Sequence, residues 1–127
     1  MIANHEKMKS IISHLQKEPW FSLQSWNLLV EETTPDVALS MLEKYIDNLR
    51  EASNQIHGIT LSTDSTMILK VVHKLSSTSE ILGLLEFSKK CRNLQKLIKE
   101  NRLDDEAENL YTQIRHDMAH ILTKTNF

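Results

Sequence analysis

Along most of this chain apolar residues recur at intervals of three and four, the spacing that gathers them on one side of an α-helix. Met8, Ile11, Ile12 and Leu15 open the pattern, and Glu18-Pro19 closes that segment because a residue before proline avoids helical backbone. The segment reads as a peripheral helix or an interdomain connection. Trp20, Phe21, Leu23, Trp26, Leu28, Leu29 and Val30 form the most apolar patch and predict a short helix from about Ser22 to Glu32, with both tryptophans lidding the core. Thr34-Pro35-Asp36 has the marks of a helix start: a hydroxyl N-cap, a proline at the first position and a carboxylate near the positive end of the dipole. Val37, Ala38, Met41, Leu42, Tyr45, Leu49, Ala52 and Ile56 continue it as one apolar face, which Gly58 ends.

Ile59 to Thr63 is then a short connection, and Ser62 or Thr63 can cap the next helix. That helix stops before Gly83, the hinge of an antiparallel turn. Leu84, Phe87, Cys91, Leu94 and Ile98 make the inward stripe that follows, leaving Glu86, Lys89, Lys90, Asn93 and Lys96 wet. After a turn at Asn101 to Asp104, Ala107, Leu110, Tyr111, Ile114, Met118, Ile121 and Leu122 complete a further apolar face, with Asp104, Asp105 and Glu106 at its N-terminus. Four long amphipathic helices with short links pack most simply as an antiparallel up-down-up-down four-helix bundle. The expectation is an all-α chain in which residues 34–127 form the bundle and residues 1–33 supply one or two additional N-terminal helices.

Composition narrows the function more than the fold. A chain of 127 residues suits one core, and two glycines with two prolines favour long helices over a many-stranded sheet. Fifteen basic against seventeen acidic residues leave a formal charge of -2, no footprint for nucleic acid or an anionic membrane. No apolar run approaches the ~20 residues of a membrane span, and the first residues lack a signal peptide's apolar core. The expected location is the cytoplasm, free or as the cytoplasmic end of a membrane-bound sensor. The one cysteine, Cys91, reads as a buried packing residue.

One residue stands apart from this pattern. At ~100° per residue Ile68, Val71, Val72, Leu75 and Thr78 cluster on one side, and His73 falls opposite, toward solvent. Around it lie Leu69, Lys70, Lys74, Ser76 and Ser77. A lone exposed histidine is most simply a surface residue. Its company here argues otherwise, because the stretch resembles the histidine-containing phosphotransfer (HPt) domain, whose signature runs His-x-Leu-Lys-Gly-Ser-Ser with a glycine ten residues after the histidine. His73, Leu75, Thr78, Ser79 and Gly83 occupy matching places; Ser76 stands where the family usually has lysine, and Ser77 where it has glycine. In the next helix Cys91, Leu94 and Gln95 match a small or thiol residue, an aliphatic and a glutamine. The likeness covers residues 34 to 123 in layout and 66 to 98 in specific residues.

The resemblance implies that His73 accepts a phosphoryl group from a receiver-domain aspartate and passes it to the receiver of a response regulator, as the HPt module of a hybrid sensor kinase. The chain would need no cofactor of its own, the receiver supplying Mg²⁺, and would be a relay intermediate without a kinase or hydrolase centre. Lys70 or Lys74 would replace the charge that Ser76 cannot supply. Ser77 would donate to the phosphoryl group or to its own helix, and Gln95 would orient the imidazole or remain a surface amide. Docking would use the outer face with Leu69, Ser76, Ser77 and Gly83. No nucleic acid, membrane or small-molecule partner is expected.

Other readings are weaker. His116 and His120, four apart with Asp117 nearby, lack a third ligand at a recognisable spacing and more simply complement a helix C-terminus, so no metal site is expected. His5, His14 and His57 read as surface residues. His73 with Ser76 or Ser77 has no acid and no glycine-framed nucleophile to make a hydrolase. The main rival is an HPt-like adaptor that docks a partner without passing phosphate, followed by an unrelated helical adaptor or chaperone.

Overall fold

The computed structural model describes residues 2–125, with side chains from Glu6 onward. Six α-helices occupy those residues: α1 (Ile2–Leu15), α2 (Leu23–Glu32), α3 (Pro35–Gln55), α4 (Leu61–Leu82), α5 (Leu85–Lys99) and α6 (Asp105–Lys124). Helices α3 to α6 each pack on the next, and α3 meets α6 to close the ring. This is the expected antiparallel bundle. Helix α1 lies against α3 and α6, and α2 lies against α3 and α4. Met8, Ile11, Ile12, Leu15, Phe21, Trp26 and Leu29 belong to the same continuous core as the bundle. His5 lies outside the described side chains.

Local chemistry sets the helix ends. Thr34 accepts from the Val37 N–H at 3.1 Å, with Pro35 and Asp36 in the first turn. Helix α4 starts earlier than expected, because Thr60 rather than Ser62 or Thr63 is its N-cap. Thr60 accepts from the Thr63 N–H at 3.2 Å while the Thr63 hydroxyl accepts from the Thr60 N–H at 3.0 Å. A kink follows at Asp64, whose carboxylate accepts from the Met67 N–H at 3.0 Å and caps the helix again. Two predicted faces need adjustment. In α3, Leu39 and Ile46 are buried whereas Val37 is 46% exposed, since α1 and α2 cover flanks that a one-stripe reading leaves wet. In α5, Leu97 goes in and Ile98 is half-buried, and Lys90 is drawn to Asp117 of α6 at 2.7 Å.

The turn between α4 and α5 bears most directly on His73. Gly83 has φ +102° and closes α4, with the Leu84 N–H on the Ser79 carbonyl at 2.8 Å. It is also buried. The Ser22 N–H donates to its carbonyl at 2.8 Å, and a Cβ placed on it would stand 2.7 Å from the Ser22 carbonyl oxygen and 3.3 Å from the Phe21 ring. Gly83 therefore offers no docking surface, contrary to the sequence reading; the N-terminal segment seals it.

Among the described residues buried polar side-chain atoms are few, and all but the Trp20 indole nitrogen are paired. The Tyr45 hydroxyl shares a 2.6 Å hydrogen bond with Ser79, and Ser88 donates to the Ser76 carbonyl at 2.6 Å. Tyr111 donates to the Ile59 carbonyl at 2.6 Å, tying α6 to the α3–α4 connection. Burial pushes the Tyr45 phenol well above its ordinary range, the Ser79 bond opposing it only in part. Burial likewise pushes the Cys91 thiol up from 9.0 to about 12.

Gly83→Ala should lower stability by roughly 2–4 kcal/mol through left-handed strain plus the clash. Gly58→Ala, with φ +76° and no atom within 4 Å, should lower it by only ~1 kcal/mol. Urea midpoints at constant m separate the two; equal losses would remove the Ser22 contact as a constraint. The raised Cys91 thiol and Tyr45 phenol give a second expectation. Both groups stay protonated in the folded chain after they ionise in the unfolded one, so their stabilisation is complete below about pH 9 and falls as pH rises toward 12. Urea midpoints should drop steeply between pH 9 and 11, less so in Cys91→Ala; a flat profile would contradict the burial.

Candidate functional site

Ile68, Val71, Val72 and Leu75 are buried, which points the opposite side of α4 outward, and His73 is exposed there. Its Nδ1 lies 2.9 Å from the Gln95 side-chain nitrogen, on α5. One serine hydroxyl ties the two helices together on the turn side of this contact. Ser76 is 4% exposed and donates to the His73 carbonyl at 3.0 Å, while Ser88 of α5 donates to the carbonyl of Ser76 itself. Ser76 was expected on the docking surface; instead α5 covers it, and its hydroxyl is spent on the backbone beneath His73.

A groove of about 550 Å³ opens beside the imidazole. His73, Ser76 and Ser77 line it from α4, and Arg92, Gln95, Lys96 and Lys99 from α5, with Glu100 at its end. The sequence reading placed cations at Lys70 and Lys74, yet these line a different groove, with Asn48, Glu51 and Gln55 of α3. The structure thus brings together His73, Ser77 and Gln95, sets Lys70 and Lys74 on the other flank of α4, and leaves Leu69 half-buried. Arg92, Lys96 and Lys99 were missed. Their signal was available only as the (i, i+3, i+4, i+7) spacing of Arg92, Gln95, Lys96 and Lys99 around the glutamine already singled out.

The groove's charges are unequal. Arg92 is paired with Glu80 of α4, both about half-exposed. That guanidinium holds the Glu80 carboxyl below its ordinary range. Among the described residues no carboxylate pairs with Lys96 or Lys99. Their ammonium groups are available to an incoming anion.

The Gln95 contact constrains the ring's protons. With the amide nitrogen donating to Nδ1, the imidazole proton sits on Nε2. Turning the amide over brings its oxygen to the same place, where it accepts from an Nδ1–H and leaves Nε2 with a free lone pair. One side chain thus serves both tautomers without moving the ring. His116 and His120 lie elsewhere, exposed on α6, with His120 edge-on to Trp20 at 5.7 Å between ring centres. Among the described residues no group of three or more His, Cys, Asp or Glu side chains gathers as metal ligands.

The family model described as the Hpt domain matches residues 39–124, more than half of the chain, and the chain belongs to that family. Hpt domains carry out histidine phosphotransfer in phosphorelays and interact with receiver domains. Neither the search of curated proteins nor that of solved structures found a match. Among the described residues no helix is long and apolar enough to cross a membrane.

Replacing Gln95 with leucine should leave the fold intact and free the ring. In ¹⁵N NMR of the imidazole at high pH, the tautomer ratio of His73 should move toward that of a solvent-exposed histidine. An unchanged ratio would show that the 2.9 Å contact exerts no hold.

Proposed function

We propose that His73 is the phosphoryl acceptor of this Hpt domain, taking the group from a receiver-domain aspartate and giving it to the receiver of a response regulator, as the module of a hybrid sensor kinase. The observation that carries the reading is an exposed imidazole braced at Nδ1 by Gln95 and facing a groove with two unpaired lysines. The Nε2 lone pair attacks phosphorus in line, the Nε2–P bond forms, and the P–O bond to the donor carboxyl breaks with its electrons leaving on the aspartate. During the attack Nδ1 keeps its proton, shared with the Gln95 oxygen. On transfer the acceptor carboxylate attacks phosphorus and the N–P electrons return to Nε2.

The chain supplies position and charge, and the receiver brings the Mg²⁺. Lys96 and Lys99 face the phosphoryl oxygens from α5, the role that Lys70 or Lys74 takes in the sequence reading. Ser77, exposed and short, leaves room for the receiver and can donate to the phosphoryl group. Leu69 and the outer ends of α4 and α5 complete the docking face. A bundle open to solvent on this side suits a transient partner better than a bound substrate.

One observation favours a second reading, an adaptor that docks receivers without relaying phosphate: the residue in the family's lysine position, Ser76, is buried and tied to the backbone. Incubation with a phosphorylated receiver decides between them. Acid-labile, alkali-stable label should appear on the wild type and fall to background in His73→Gln. Equal labelling of both would remove His73, and receiver binding without label would establish the adaptor.

A further inference from the structure

The ion pair at the rim of the groove has a geometry that suits exchange. Helices α4 and α5 run antiparallel from the Gly83 turn, and His73 meets Gln95 across them. Going toward the turn, Arg92 is three residues, or ~4.5 Å, from Gln95, and Glu80 is seven residues, or ~10.5 Å, from His73. Arg92 therefore stands at a height between His73 and Glu80, about level with Ser76. Near that height α4 brings only short side chains to the groove, the buried Ser76 and the exposed Ser77, so nothing long from α4 lines it between the guanidinium and the imidazole. Arg92 and His73 line the same groove, yet Arg92 currently reaches the other way, to Glu80.

We propose that Arg92 is a reserve cation for the phosphoryl group on His73, held by Glu80 while the histidine is free and changing partner when Nε2 carries phosphate. The inference rests on the reading of His73 as the acceptor. An exposed carboxylate holds an arginine weakly because water screens the pair. A phosphoryl group offers more charge and three acceptor oxygens to the planar guanidinium, which can bind two of them at once. Moving from one to the other requires only new rotamers of one side chain. The exchange would put back, from the neighbouring helix, the positive charge that Ser76 leaves out of α4. It would also release the Glu80 carboxylate at the edge of the docking face, so that the phosphorylated and free forms present different charge to a receiver.

Phosphoramidate tests this without a receiver: its P–N bond breaks with ammonia as leaving group while the Nε2–P bond forms. ³¹P NMR then follows the titration of the phosphoryl group in wild type, Arg92→Gln, Arg92→Lys, Glu80→Gln and the Arg92→Gln, Glu80→Gln double variant. The groups facing it are Arg92, Lys96 and Lys99 from α5, Glu100 at the groove's end and Glu80 from α4. In Arg92→Gln the midpoint should move up by roughly 0.5–1 pH unit as the guanidinium is lost, with partial rescue in Arg92→Lys. Glu80→Gln should move it down, and that effect should shrink markedly once Arg92 is gone. An Arg92→Gln midpoint equal to wild type would overturn the inference, as would a Glu80 effect undiminished in the double variant. Failure of wild type to take up phosphate from this donor and from a phosphorylated receiver would instead overturn the acceptor reading, and this inference with it. Unchanged far-UV circular dichroism and urea midpoints establish that the variants fold.

Discussion

The close approach of α4 and α5 is the constraint from which the rest of the site follows. Ser76 and Ser88 are buried where α4 meets α5, joined through the Ser76 carbonyl, and Ser79 and Cys91 are buried on the same two helices; larger side chains at the contact would force the helices apart. Each serine among them has its hydroxyl satisfied, two on backbone carbonyls and Ser79 on the Tyr45 phenol, so the small residues do not leave polar atoms stranded. With the helices this near, an amide on α5 can reach an imidazole on α4 that itself remains in solvent. A wider separation would leave His73 merely exposed. The closer one leaves it exposed and oriented.

The same constraint explains why the N-terminal helices matter to a site they do not touch. Antiparallel helices in contact need a sharp reversal, and Gly83 makes it with a backbone conformation that side chains rarely adopt. The reversal is then pinned from outside by Ser22 and Phe21. The seal holds the turn from which α4 and α5 run back alongside each other to the level of His73 and Gln95. The segment preceding α3 is thus part of how the imidazole is placed, although it lies outside the region matched to the family.

The helices were legible because each buries a stripe, and a stripe is a property of one segment. So was the outward direction of His73. What periodicity could not supply was the identity of the neighbour on each flank. Lys70 and Ser76 are each three residues from His73 and lie at equal angles on either side of it. The sequence reading treated them alike, yet α5 covers the Ser76 flank and buries it, while Lys70 stays wet against the α3 groove. For the same reason Lys96 was read correctly as solvent-facing without any link to the histidine. Gln95 was found only through family likeness. Its distance from His73 is a matter of interhelical register, which no single-helix pattern encodes.

That register also changes what the departures at Ser76 and Ser77 mean. Taken along α4 alone, a serine in place of a lysine subtracts a charge from the surroundings of His73. Taken across the pair, the α5 face brings three cations to the groove, Arg92, Lys96 and Lys99, at intervals that repeat with the helix. The net charge of -2 conceals this, since acidic residues elsewhere outweigh it. Positive charge on a neighbouring helix differs from charge on the histidine's own helix in one physical respect: its distance from the imidazole depends on helix packing. Any substitution that loosens the α4–α5 seam therefore weakens the bracing of Nδ1 and moves the cations that line the groove with His73.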